Sequence, residues 1–473
     1  MNVPLLDEQL GNLKGSLVLK DHETKITDRK LLQDNIYKLA EKSALGQGAE
    51  KGAAQYIIRK AALAFGVIPA SINDLYRARG RGEVPFMFTV PAMNLRMLAF
   101  DSARAVFRVA KEMDAGAFIF EIARSEMGYT DQRPAEYVSS ALAAAIAEGY
   151  SGPIFLQGDH FQVSAKRYAS TPDTELQAVK DLVKEAISSG FYNIDIDTST
   201  LVDISQATVP AQQKVNYTLS AMYSAFIRAL QPEGIQISIG GEIGEVGGHN
   251  STEEELRAYM DGYKKELSQQ VAKAQGLSKI SIQTGTSHGG VVLPDGSIAK
   301  VNLDFGILLK LSRVARSEYG MGGTVQHGAS TLPENAFGKF VESEAIEVHL
   351  ATNFQNMIFD RLPGELRSEM YAYLDKNSAG ERKPDMTDEQ FYYKTRKNAV
   401  GPFKKQTWTL PTAKREQISQ ALEEQFRKLF VNLGMQGTRS FVEKHITPVI
   451  VEPDLKYYLG EFIEEKEVSD LAD

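Results

Sequence analysis

Seven histidines occur in the 473-residue chain, and four of them (His160, His288, His327 and His349) stand at or beside the end of a short apolar run. Acids share these places: Asp159 directly precedes His160, Asp197 ends NIDID, and Glu242 lies in IGGEI. Several neutral imidazoles with nearby carboxylates are a common ligand set for Zn2+ with one position left open. An ion so held polarises a carbonyl or activates water. Any single histidine of this kind more often serves structure. The clustering of four argues for a site, and their wide separation means that the fold must assemble it.

Glycine-rich turns accompany the histidines: SHGG (287–290), QHGAS (326–330) and GGEIGEVGG (240–248). Glycine lets backbone N–H groups approach an anion closely. Ser330 and the pair Thr352-Asn353 follow the last two apolar runs and are candidates to seat a phosphate, although the glycines serve tight turns equally well.

The elements that must position these residues are eight β-type runs: 84–92, 115–123, 152–159, 191–197, 235–243, 279–287, 323–330 and 345–352. Amphipathic stretches such as DTELQAVKDLVKEAISSG fill the gaps. Strands alternating with helices predict parallel βα units, and strands apolar on both faces predict a covered sheet. Eight units predict a closed (β/α)8 TIM barrel of the α/β class, whose chemistry lies at the C-terminal strand ends. The alternative, an open doubly wound sheet for nucleotides, lacks a Gly-x-Gly-x-x-Gly after the first strand. The expected organisation is a helical N-terminal extension (1–82), the barrel (83–372) and a helical C-terminal extension (373–473).

Hydrophobic residues make up 43% and charged residues 24% of the chain, as in ordinary globular enzymes. A net charge of −8 argues against nucleic acid or an anionic membrane as a partner. The absence of cysteine excludes disulfides, thiolate metal sites and a cysteine nucleophile. No signal peptide or apolar membrane span is read, so a cytoplasmic location is expected.

From strand 1 to strand 8 the motifs resemble those of the class II, zinc-dependent fructose-bisphosphate aldolases. PAMN (91–94) resembles the strand-1 motif with its substrate-contacting Asn, here Asn94. QGDHF resembles the Asp-His motif, IDTS the Ile-Asp-Gly-Ser motif, and GEIGEVGG the Glu-Leu-Gly-x-x-Gly-Gly motif. TGTSHGG with VNLDF, and QHGAS, resemble the two later histidine blocks. The resemblance implies that His160, His288 and His327 hold zinc, and that Asp197 and Glu242 orient ligands or bind metal alternately. It implies Asp159 as the proton-transferring residue, with Gly289, Gly328, Ser330, Thr352 and Asn353 at a substrate phosphate. The implied reaction is reversible cleavage of a ketose 1,6-bisphosphate, fructose 1,6-bisphosphate first, to dihydroxyacetone phosphate and an aldehyde phosphate. Zinc polarises the C2 carbonyl and stabilises the enediolate, so no Schiff-base lysine is needed. A second divalent or a monovalent cation, and a homodimer or higher homo-oligomer, are also expected.

This chain departs from the family at His349, where an Asn contacts the dihydroxyacetone unit, and at Thr331, which replaces a glycine. His249-Asn250 stand where many members carry acids. Tagatose 1,6-bisphosphate or another phosphorylated ketose is the alternative substrate. A second resemblance, to the Z-type subunit of tagatose-bisphosphate aldolase, implies instead a non-catalytic partner subunit. That subunit lacks the later zinc histidines, which this chain retains.

Overall fold

In the computed structural model each of the eight apolar runs forms a parallel strand. Residues 4–20, 23–244, 249–285, 293, 303–330 and 332–460 are described. A hairpin of β1 (Leu17–Lys20) and β2 (Glu23–Ile26) and a short strand β3 (Val67–Ala70) come first. The barrel strands are β4 (Val90–Asn94), β5 (Ile119–Ala123), β6 (Gly152–Gln162), β7 (Asn193–Asp197), β8 (Ser238–Glu242), β9 (Lys279–Ile282), β10 (Thr324–Gln326) and β11 (Glu347–Leu350). Each pairs in parallel with the next, and β11 pairs with β4, which closes the ring. This is the expected (β/α)8 barrel. Its strands lack a polar outer face because helices cover them.

The helices between strands follow from sequence signals at their ends. Asp304 of the VNLDF motif caps Phe305–Tyr319 by accepting the N–H of Ile307 at 3.0 Å. Thr252 and Glu255 form a capping box at the start of Glu253–Gln270. Gly190, at φ 108°, ends Pro172–Ser189 in the left-handed conformation that glycine adopts without penalty. Among the described residues no helix is long and apolar enough to cross a membrane.

The terminal extensions share the barrel's hydrophobic core. The first 82 residues are not wholly helical: β3 pairs with the N-terminal half of β6, below the point where β7 joins it. Asn193 closes this seam, donating to the carbonyls of Ala70 (3.2 Å) and Leu156 (3.0 Å) and accepting from the N–H of Ile72 (2.8 Å). At the other end, helix Thr412–Asn432 packs on Ala99–Glu112, where buried Arg415 meets both oxygens of Asp101 at 3.1 Å. Phe426 of the same helix packs on Phe354 with ring centroids 4.8 Å apart.

Candidate metal and acid–base site

Strand β6 was expected to end at Asp159. Instead it runs on to Gln162 through a β-bulge. Gly158 pairs with Ile194 and Phe161 with Ile196, so Asp159 and His160 together oppose the single residue Asp195. His160 takes the left-handed conformation (φ 39°), uncommon for a residue with a side chain. Adjacent strand residues normally face opposite ways, and the bulge turns both into the barrel. The glycine before the pair is required, because a Cβ on Gly158 would lie 2.4 Å from the Phe161 ring.

At the barrel mouth His160 is central. Its Nδ1 lies 3.0 Å from Asp197 Oδ2 and 3.2 Å from Glu242 Oε2, and its Nε2 lies 3.0 Å from His327 Nδ1. The other nitrogen of His327 lies 2.9 Å from Ser281 Oγ. When each outer nitrogen donates to its oxygen partner, two lone pairs face each other across 3.0 Å. Such a pair is repulsive without a proton or a cation between the rings. A second-sphere carboxylate that orients a histidine toward a metal is a common arrangement. His160, Glu242 and His327 can offer ligand atoms within 4.8 Å of one another. The residues thus fit a divalent metal. Burial would raise Asp197, but hydrogen bonds from His160, Ser199 and Gln162 outweigh it and hold the acid at about 2. Glu242 is pushed up to about 6 by burial and by Asp197.

One step deeper lies Asp159, 5% exposed. Its Oδ2 accepts from Asn94 Nδ2 at 2.9 Å, and its Oδ1 lies 3.0 Å from His349 Nδ1. Burial would raise this acid, yet His160 and His349 hold it well below the usual carboxylate range. Asn94 also donates to Glu126 Oε2 at 2.8 Å, and Glu126 meets Arg96 at 2.5 Å.

Below Asp159 is a polar layer. Glu121, Gln157, Lys279 and Glu347 are fully buried and Asp195 nearly so. Lys279 Nζ lies 2.8 Å from Asp195 Oδ2 and donates to Gln157 Oε1 at 2.7 Å and to Glu347. Burial would raise Glu347, but Lys279 and His349 hold it at about 2. Burial and the neighbouring Asp159 push Glu121 well above the usual range.

The structure therefore brings Asp159, His160, Asp197, Glu242, His327, Asn94 and His349 together. His288 and Gly289 lie outside the described residues. Gly328 and Ser330 follow β10, and the Ser330 hydroxyl accepts the N–H of Ala351. Thr352 and Asn353 open helix Thr352–Arg361, so these residues gather beyond β10 and β11, where barrels commonly bind phosphate. Expected to reach substrate, His349 is only 4% exposed and has a carboxylate at each ring nitrogen. Sequence reasoning missed Glu121, Gln157, Lys279 and Glu347. A signal existed, since Gln157/Asp159, Lys279/Ser281 and Glu347/His349 are polar pairs two apart within apolar strands.

A closed eight-stranded barrel with histidines and carboxylates gathered at its C-terminal mouth defines a TIM-barrel protein with a candidate metal site. More particularly, residues 87–434 match the family model for fructose-bisphosphate aldolase class-II, and the chain belongs to that family. The match takes in helix Thr412–Asn432. No curated protein matches the chain. Among solved structures, fructose-bisphosphate aldolase (Fba) from Campylobacter jejuni is 18% identical with a TM-score of 0.48, covering 79% of this chain and 97% of that one. A putative fructose-1,6-biphosphate aldolase from Coccidioides immitis is 18% identical with a TM-score of 0.43, covering 77% and 96%. A probable tagatose 6 phosphate kinase from Sinorhizobium meliloti 1021 is 14% identical with a TM-score of 0.50, covering 76% and 99%.

Proposed function

We propose that this chain is a metal-dependent aldolase that reversibly cleaves a ketose 1,6-bisphosphate, with fructose 1,6-bisphosphate as the first substrate to test. The observation that carries the reading is the pair of facing ring nitrogens of His160 and His327, 3.0 Å apart, beside the buried acid Asp159. His160 and His327 would hold the metal with His288, and Glu242 offers an alternate ligand. When bound, a divalent metal supplies Lewis acidity at the substrate's C2 carbonyl.

Asp159 then takes the proton of the C4 hydroxyl. The C3–C4 bond breaks, C4 becomes the aldehyde carbon, and C3 takes a proton from water to complete dihydroxyacetone phosphate, while Asp159 returns its own proton to water. Both Asp159 oxygens carry one neighbour, Asn94 or His349, and a carboxylate keeps further lone pairs for the incoming hydroxyl. Ser330, Thr352 and Asn353 would seat the phosphate of the dihydroxyacetone half. Cleavage of fructose 1,6-bisphosphate and tagatose 1,6-bisphosphate by the zinc-loaded chain, before and after chelation, tests the reading. Loss on chelation and recovery with zinc are expected. No cleavage of either sugar by the zinc-loaded chain would reject it.

A further inference from the structure

The side chains beneath Asp159 form an ordered chain of contacts. His349 Nδ1 faces Asp159 Oδ1 at 3.0 Å, and His349 Nε2 faces Glu347 Oε1 at 2.6 Å. Glu347 and His349 are two apart on β11, so both point into the barrel. Three more donors meet on the Glu347 carboxylate. Gln157 Nε2 from β6 donates to Oε1 at 2.8 Å, Lys279 Nζ from β9 donates to the same oxygen, and the Tyr76 hydroxyl donates to Oε2. Tyr76 lies in helix Asn73–Gly80, so the N-terminal extension also reaches the site.

A carboxylate with this many partners, at zero exposure, has one orientation. It fixes the imidazole it holds, whose ring also packs edge-on against His327 with centroids 4.1 Å apart. Asn94 binds the other oxygen of Asp159, so the plane of that acid is set from both sides. A reacting group held in one geometry gains rate because its orientation is settled before the chemical step.

We propose that Glu347, acting through His349, is a positioning residue that sets the orientation of the Asp159 carboxylate. The inference rests on the aldolase reading, in which Asp159 is the acid–base group. It gives His349 a task other than the substrate contact of the Asn it replaces.

The test uses the full-length, zinc-loaded chain and fructose 1,6-bisphosphate or, if that sugar is not cleaved, tagatose 1,6-bisphosphate. Glu347→Gln is expected to lower kcat about 10- to 100-fold, with KM and zinc per chain within about twofold of the unaltered protein. Glu347→Asp, which keeps the charge, should recover part of the loss. In a His349→Asn background Glu347→Gln should add little, because residues acting through one another are not additive. If Glu347→Gln lowers kcat as much in that background as alone, Glu347 does not act through His349. An unchanged kcat in the single variant, or a fall in kcat that merely tracks lost zinc, also overturns the proposal. Absence of cleavage by the unaltered chain rejects the aldolase reading and this role with it. Normal cleavage by both unaltered and variant chains rejects the role alone.

Discussion

Nε2 of His160 in β6 and Nδ1 of His327, just past the end of β10, face each other at 3.0 Å from different sides of the barrel mouth. Nothing local in the sequence pairs these residues, and under the aldolase reading they are two of the metal ligands. His327→Ala and His288→Ala are each expected to bind less than half the zinc of the unaltered chain, read by metal analysis after dialysis. Full zinc content in His288→Ala would remove that residue from the ligand set.

Asp159→Ala should separate acid–base chemistry from metal binding. Turnover is expected to fall by ~10²–10⁴, the usual worth of a positioned acid or base. Zinc content should stay at the unaltered level. Loss of zinc in this variant would reassign Asp159 as a ligand.

Lys279 is the cation of the buried layer, and Lys279→Met would leave Asp195 and Glu347 without it. Removing one partner from a buried ion pair costs about 3–5 kcal/mol, and the urea midpoint should fall accordingly. Adding Glu347→Gln removes one stranded charge, so the double variant should be destabilised by less than the two single changes together. Strict additivity would show that the pair is not coupled.

Lys397 supplies a pH signature. Burial first, and then Arg96, lowers its ammonium to about 8 from the ordinary 10.5. Glu381, Glu126 and Lys394 also act on it, and Tyr129 presents its ring 5.4 Å from Nζ. Below pH 8 the lysine is charged in both states and the folded chain bears the cost of burying it. Above 10.5 it is neutral in both, and that cost is gone. This residue's contribution to stability should therefore rise between about pH 8 and 10.5, by on the order of 2–3 kcal/mol. Urea unfolding at pH 7.5 and 9.5, compared with Lys397→Met, reads it; equal pH slopes in the two proteins would count against it.

Much of the architecture was legible in the order of elements. Eight apolar runs separated by amphipathic stretches lead to a closed parallel barrel, because strands buried on both faces need helical cover. Strand limits were less legible. The bulge at Asp159-His160 extends β6 beyond its expected end, and no local pattern marks an inserted residue whose presence depends on pairing with β7. The N-terminal extension read as helical, yet β3 becomes a strand because the exposed edge of β6 is there to receive it.

Residue types by themselves led to the expectation of a site built from histidines and acids at strand ends, and the motif order resembled that of the aldolase family. Side-chain period 2 puts Asp195 on one strand face with Asp197, whereas the same spacing of Glu347 and His349 was missed. Only the tertiary structure decided which of these meet. Asp159, His349 and Glu347 form one contact chain, and Lys279 finds Asp195 and Glu347, because ring closure brings β6, β7, β9 and β11 around one axis. Charges so deeply buried persist only when paired, and their partners come from strands far apart in the sequence.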